Sequence, residues 1–191
     1  MTATGPTAAN DRLTLFAARA EPLGVRVGRM ANAAAAGGFA AALATEFGTA
    51  RPIVAAELLD AAPGLVAAMV AAGVKWAAAS NPATTNGAPL GIGLARLAIA
   101  ETGSVLLAED TLADRAIGML AAAHLVVCPT GALVASLDDA AAALRAVAAR
   151  PGGGYATMVT GPSRTADIER VLTVGVQGPA RVAVLFVDDL G

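Results

Sequence analysis

The stretch TGPSRTADIE, positions 160–169, sets hydroxyls, an arginine and two carboxylates between the apolar runs YATMV and RVLTVGV. Gly161 and Pro162 shape a turn after a strand, and Ser163 or Thr165 can cap a helix that follows. The free N–H groups of a helix start attract anions, and Arg164 adds a fixed charge with bidentate geometry. Asp167 and Glu169 oppose a purely anion-binding reading; they can instead orient Arg164 or accept hydrogen bonds from ligand hydroxyls. An ordinary cap with acids in the first helical turn accounts for the same residues without a ligand.

Two further places carry chemistry. In IAETGS, Glu101 stands with Thr102 and Gly103 at the junction of two apolar runs. A carboxylate there is either a solvated turn residue or a functional one. Arg115 lies near the start of a helical segment, where a cation opposes the helix dipole. That placement suggests a partner, such as Glu101 or an anion, against the simpler reading of a surface arginine. GIGLAR (91–96) imitates part of a dinucleotide-binding loop, but Arg96 stands for the third glycine and no strand leads directly into it. His124 reads as a hydrogen-bonded structural histidine at a strand start, and Cys128 as a small buried hydrophobe.

Composition excludes several classes. His124 and Cys128 are the only histidine and cysteine of the 191 residues, so no disulfide, cysteine cluster or His/Cys metal site forms within the chain, and no metal is expected. No G-x-S-x-G elbow supplies a serine nucleophile. The net charge is −2, and no basic stripe offers the phosphate-neutralising footprint of a nucleic-acid binder. The N-terminus MTATGPTAANDR lacks the basic start and apolar core of a signal peptide. Mean hydropathy is +0.64, and residues 116–137 carry no formal charge. Pro129 and Gly131 interrupt that run, which reads as a buried strand between two helices rather than a membrane span. A cytoplasmic location is expected.

The elements that must position these residues alternate between helical and strand-like. DRLTLFAARAEPLG has an amphipathic stripe; NAAAAGGFAAALATEFG, PGLVAAMVAAG, TLADRAIGML and SLDDAAAALRAVAAR read as helices. The last has Ser136 as N-cap, Asp138 and Asp139 in its first turn and Pro151 beyond its end. VRV, RPIVAA, VKWAAA, AHLVVCP, YATMVTG and ARVAVLFVDD read as strands, and LAIAETGSVLLAE as a hairpin. SNPATTNGAPLGIG reads as turns, and TADIERVLTVGVQG as a helix. The alternation predicts a three-layer α/β/α fold with a mainly parallel sheet. Residues 1–10 are expected to be a flexible N-terminus and 11–191 a single domain. Ligands of such sheets sit at the carboxyl ends of the strands, and the turn after YATMV falls at such an end by this reading.

Three stretches together, AIAETGSVLL, Arg115 nine residues before HLVV, and TGPSRTADIERVLTVGVQGP, resemble the LUD-domain proteins, most of all the lactate-utilisation protein C (LutC/YkgG) group. The resemblance covers roughly positions 90–187. It implies a fold related to the NagB/RpiA/CoA-transferase group and a role in oxidising L-lactate to pyruvate with iron–sulfur partner proteins. One cysteine cannot hold such a cluster, so no cofactor is expected on this chain and the clusters would belong to the partners. The motif residues transfer as a small-anion pocket: Glu101, Thr102, Gly103, Arg115, Gly161, Ser163, Arg164, Thr165, Asp167 and Glu169. The family commonly has an acidic residue at Arg96, histidine at Gln177 and prolines at Ala122 and Ala123. Two other functions fit the same residues. One is a stand-alone acyl- or CoA-transferase-like enzyme with Glu101 as catalytic nucleophile; the other is a structural docking subunit.

Overall fold

Period-two burial builds the central sheet. In the computed structural model, which describes residues 6–150, 154–165, 173–175 and 177–191, strands Ala123–Pro129 and Arg181–Val187 run side by side in parallel. Ala123, Leu125 and Val127 with Ala183, Leu185 and Val187 enter one apolar cluster; Val126 and Cys128 with Val182, Val184 and Phe186 enter another. A sheet buried on both faces requires such apolar strands.

In chain order, α1 (Pro6–Ala20) leads to β1 (Val25–Met30), α2 (Ala33–Glu46), β2 (Ile53–Val54), α3 (Ala56–Ala61), α4 (Pro63–Ala71) and β3 (Ala77–Ala78). A one-turn α5 (Pro82–Thr85) precedes β4 (Gly91–Leu94), β5 (Leu97–Ile99), β6 (Ser104–Leu107), α6 (Leu112–Leu120) and β7 (Ala123–Pro129). Then come β8 (Leu133–Val134), α7 (Leu137–Ala148), β9 (Thr157–Val159), β10 (Arg164–Thr165), β11 (Thr173–Val174) and β12 (Arg181–Val187). The main sheet is parallel throughout, in the order β1-β12-β7-β4-β2-β3. Residues of α2, α3 and α4 pack one face; α1, through Phe16 and Ala20, packs the other. There α1 shares the cover with a second sheet, β8-β5-β6-β9, whose outer side meets α7 through Ala140, Ala143 and Leu144.

The α/β class, the parallel sheet, the β5–β6 hairpin and the buried β7 between helices are as the sequence predicts. So is α7, with a capping box in which Ser136 Oγ accepts from Asp139 N and Asp139 accepts from Ser136 N. Three expectations differ. The GIGL run is a central strand: an added Cβ on Gly91 would lie 2.4 Å from Ile117 Cγ2, and one on Gly93 2.9 Å from His124 Nε2. The glycines there admit α6 and a buried imidazole rather than making a turn. The helix expected over TADIERVLTVGVQG is not formed at its described ends, because Arg164 and Thr165 pair antiparallel with Val174 and Thr173. Finally, α1 begins at Pro6, so the boundary expected at residue 11 falls inside a helix.

No described helix is long and apolar enough to cross a membrane.

Candidate functional site at the carboxyl edge of the sheet

Strand β4 does not stop at its end. Ala95 N still donates to Val127 O of β7 (2.7 Å), but Arg96 N donates to Leu106 O of β6 (2.8 Å), so the chain crosses from the main sheet to the second one at this bend. β6 returns to the same place and delivers Glu109 and Asp110. The end of β2 brings the start of α3 beside them, and Thr111, accepting from Asp114 N at 3.0 Å, caps α6. Charged residues far apart in sequence thereby converge where β2 and β4 end, the edge at which open α/β sheets bind ligands.

Asp114 is buried, and its Oδ1 accepts from Ala56 N at 2.9 Å, tying α6 to α3. Arg96 Nη2 lies 3.4 Å from Glu57 Oε1. Arg150 donates to Ala108 O (3.3 Å) and pairs with the Asp110 carboxylate. Arg115 donates from Nε to Glu109 O (3.0 Å) and from Nη2 to Asp110 O (3.3 Å), with its guanidinium 4.3 Å from the Tyr155 ring centroid. Among the described residues no carboxylate lies within ion-pair distance of Arg115. Glu109 is only 5% exposed, and no described residue hydrogen-bonds its carboxyl group. Burial, then the nearby Asp114 and Glu57 charges, push its pKa up to about 7 against the pull of Arg115. Burial also lifts Glu57 above its ordinary value, with Arg96 opposing. The arrangement offers one cation able to take an anion and one carboxyl group able to exchange a proton near neutrality. No group of His, Cys, Asp and Glu with metal-holding geometry occurs among the described residues.

Most of the residues read from the motifs lie elsewhere. Segment 160–164 sits at the amino edge of the parallel strands, against the corner between α1 and β1, and not at the carboxyl edge. Gly161 (φ +98°) lies beside Leu23 and Val25. Arg164 Nη2 donates to Leu23 O. Ser163 donates from Oγ to Gln177 O (2.6 Å) and from N to Pro179 O (2.9 Å), so it ties this segment to the entry of β12 rather than capping a helix. The hairpin tip joins the same corner. Gly103 has φ +66°, and a Cβ on it would lie 2.8 Å from Arg19 Cβ. The Ser104 and Thr160 hydroxyls hydrogen-bond at 2.6 Å, and the Thr102 hydroxyl is buried with no described partner. Glu101 turns away from Arg164: its Oε2 accepts from Leu137 N at 3.0 Å, the first residue of α7. Thr165 pairs with Thr173 through the backbone; Asp167 and Glu169 lie outside the described residues. Arg115 therefore stands at the opposite end of β6 from Gly103, roughly 13 Å away along four residues of strand, and Glu101 is not its partner.

His124 is buried with Nε2 unpartnered among the described residues, not hydrogen-bonded as expected there, and burial lowers its pKa to about 4. Cys128 is buried as predicted, its thiol pushed up to about 12. Sequence reasoning missed Glu57, Glu109, Asp110, Asp114, Arg150 and Tyr155, and set Arg96 aside with the glycine-rich decoy. The legible signal was AEDTLAD: two acids directly after an apolar strand, a threonine cap and a third acid at the first helical turn.

Comparison with known proteins decides the family. The model of the LUD domain matches residues 13–187. This chain belongs to the LUD domain family. Among curated relatives it is similar to lactate utilization protein C 1 of Bacillus mycoides, 36% identical over 104 residues, covering 53% of this chain and 44% of that protein. Lactate utilization protein C of Bacillus subtilis is 31% identical over 104 residues, covering 53% and 43%. The chain spans about half the length of the curated relatives it matches. The fold is that of the crystal structure of a DUF162 family protein from Deinococcus radiodurans, with a TM-score of 0.63, 22% identity, and coverage of 94% of this chain and 98% of that one. The LUD domain of this chain thus carries its mixed-charge cluster, Arg115 included, at the carboxyl edge, and residues 160–164 at the amino edge.

Proposed function

We propose that this LUD domain binds a small 2-hydroxy or 2-oxo monocarboxylate, of the lactate and pyruvate type, as an accessory subunit of lactate utilisation. Arg115 takes the ligand's carboxylate, beside the buried side chain of Glu109. The observation that carries the reading is Arg115: a guanidinium whose described partners are two carbonyls and a ring, at the ligand-binding edge of the sheet, in a chain similar to proteins named for lactate use.

Oxidation of a 2-hydroxy acid to a 2-oxo acid releases two electrons and two protons. A thiolate-bound iron–sulfur cluster does not fit this chain, whose one cysteine is buried and held as a thiol. The electron-accepting clusters are accordingly assigned to partner proteins.

Thermal-shift and calorimetric titration with L-lactate, pyruvate and glycolate test this. A ligand confined to the native state stabilises by about 2.7 kcal/mol at a hundredfold excess over Kd. Wild type is expected to shift, Arg115→Ala to lose the shift, and Arg164→Ala to keep it. Loss in Arg164→Ala with retention in Arg115→Ala would move the ligand to the amino edge and overturn the assignment.

A further inference from the structure

We propose that Glu109 makes monocarboxylate binding at Arg115 proton-linked, and that the single uncommitted cation there confines the site to monoanions, an inference that rests on reading Arg115 as the ligand's anchor. Four carboxyl groups and three guanidinium groups meet at this edge. Two of the cations are already committed, Arg96 to Glu57 and Arg150 to Asp110. What remains is Arg115 facing Glu109 and Asp114, the latter fixed by the N–H of Ala56. With Glu109 ionised, this remainder carries one net negative charge before any ligand arrives. An entering carboxylate would then be held by one cation against two buried anions. With Glu109 protonated, the same remainder is neutral, and the ligand adds a single charge.

The surroundings of Glu109 favour the second state. The charged groups acting on it are Asp114 and Arg115 on α6 and Glu57 on α3; Asp110, next to it in the chain, is paired with Arg150 beyond α7, and Arg96 at the bend with Glu57. The residue is largely buried and no described residue donates a hydrogen bond to its carboxyl group, so among protein groups the Coulomb attraction of Arg115 is what favours its anion. Its pKa of about 7 in the free protein places the exchange within reach of ordinary buffers, and a bound carboxylate raises it further. Above pH 7 the free protein holds Glu109 ionised, so binding must take up a proton, and affinity falls as pH rises. A dicarboxylate brings a second charge for which no uncommitted cation remains among the described residues of the cluster.

The test is calorimetric titration of the purified chain with L-lactate, glycolate, malonate and succinate at pH 6.5 and 8.5, in pairs of buffers with different ionisation heats. Wild type is expected to lose about tenfold in lactate affinity per pH unit above pH 7, to take up close to one proton per lactate at pH 8.5, and to bind malonate and succinate at least tenfold more weakly. Glu109→Gln is expected to bind lactate with a flat pH profile and no proton uptake, and to keep the gap to malonate, since no cation is added. Lactate binding by wild type without proton uptake would overturn the role of Glu109 and leave Arg115 as anchor. Failure of wild type to bind any monocarboxylate would overturn both. Should Glu109→Gln not fold, the wild-type proton count and its malonate discrimination decide the matter.

Discussion

The two edges of the parallel sheet treat their polar residues in opposite ways. At the amino edge, Ser104, Thr160, Ser163 and Arg164 satisfy one another or nearby carbonyls, with the buried Thr102 hydroxyl the exception, and the corner of α1 and β1 closes over Gly103 and Gly161. At the carboxyl edge, Glu109 is buried without a described donor and Arg115 lies without a described counter-ion. Groups spent on one another hold a fold together, whereas groups left unmatched in a partly buried place retain interaction energy for something else. The polar stretch at 160–164 lies on the first kind of edge. The chemistry proposed for this LUD domain sits on the second.

The sharpest way to break the contrast is to damage the closed edge. Gly103 combines a positive φ with a close approach to Arg19 and Ala20, so Gly103→Val meets backbone strain and steric overlap together. A loss of about 3–5 kcal/mol in unfolding free energy is expected by urea denaturation. Lactate affinity in the fraction that remains folded should stay within twofold of wild type. A large affinity change at preserved stability would make the hairpin tip part of the binding site.

The open edge should show its cost in the pH dependence of stability, without any ligand. Glu109 has its folded pKa raised from 4.5 to about 7. For an acid shifted upward, the stability it contributes is fully present below pH 4.5 and is lost as pH rises through 7. The shift corresponds to about 3 kcal/mol at most. Glu109→Gln removes the titration, so the variant should gain on wild type by up to that amount between pH 5 and pH 8. Parallel stability curves for the two proteins would show that Glu109 ionises freely and that the two edges do not differ in this respect.

The difference between the edges was only half visible in the sequence. Helix α7 and strands β7 and β12 could be read because their signals are local: a serine cap with acids in the first turn, and apolar runs bounded by turns. Strand β4 could not, since Gly91 and Gly93 contribute no side chains to an apolar pattern and are required by partners 26 and 31 residues later, Ile117 and His124. The same holds for the charge cluster. Glu109 and Asp110 stand out after an apolar strand, but Glu57, Arg96 and Arg150 join them only because β2, β4 and the end of α7 reach one edge. For the hydroxyls and arginine crowded at 160–164, composition reports polarity, not whether the polar groups are already paired. Arg164 is paired with Leu23 O, a carbonyl 141 residues earlier.

Glu101 gives the smallest and most discriminating test. It is exposed at the hairpin tip, and its carboxylate accepts from Leu137 N at 3.0 Å beside the Ser136–Asp139 capping box. Its role by this geometry is to satisfy one more N–H of the α7 start and to place a negative charge at the positive end of the helix. Glu101→Ala should therefore cost about 0.5–1 kcal/mol, less than or equal to Ser136→Ala at about 1 kcal/mol, and the Glu101 effect should shrink in high salt. Lactate binding should be unchanged, because no described contact links Glu101 to Arg115. If Glu101→Ala instead abolished binding while stability held, Glu101 would have to lie on the ligand's path. The amino edge would then carry chemistry as well as structure, and the division between a closed edge and an open one would not hold.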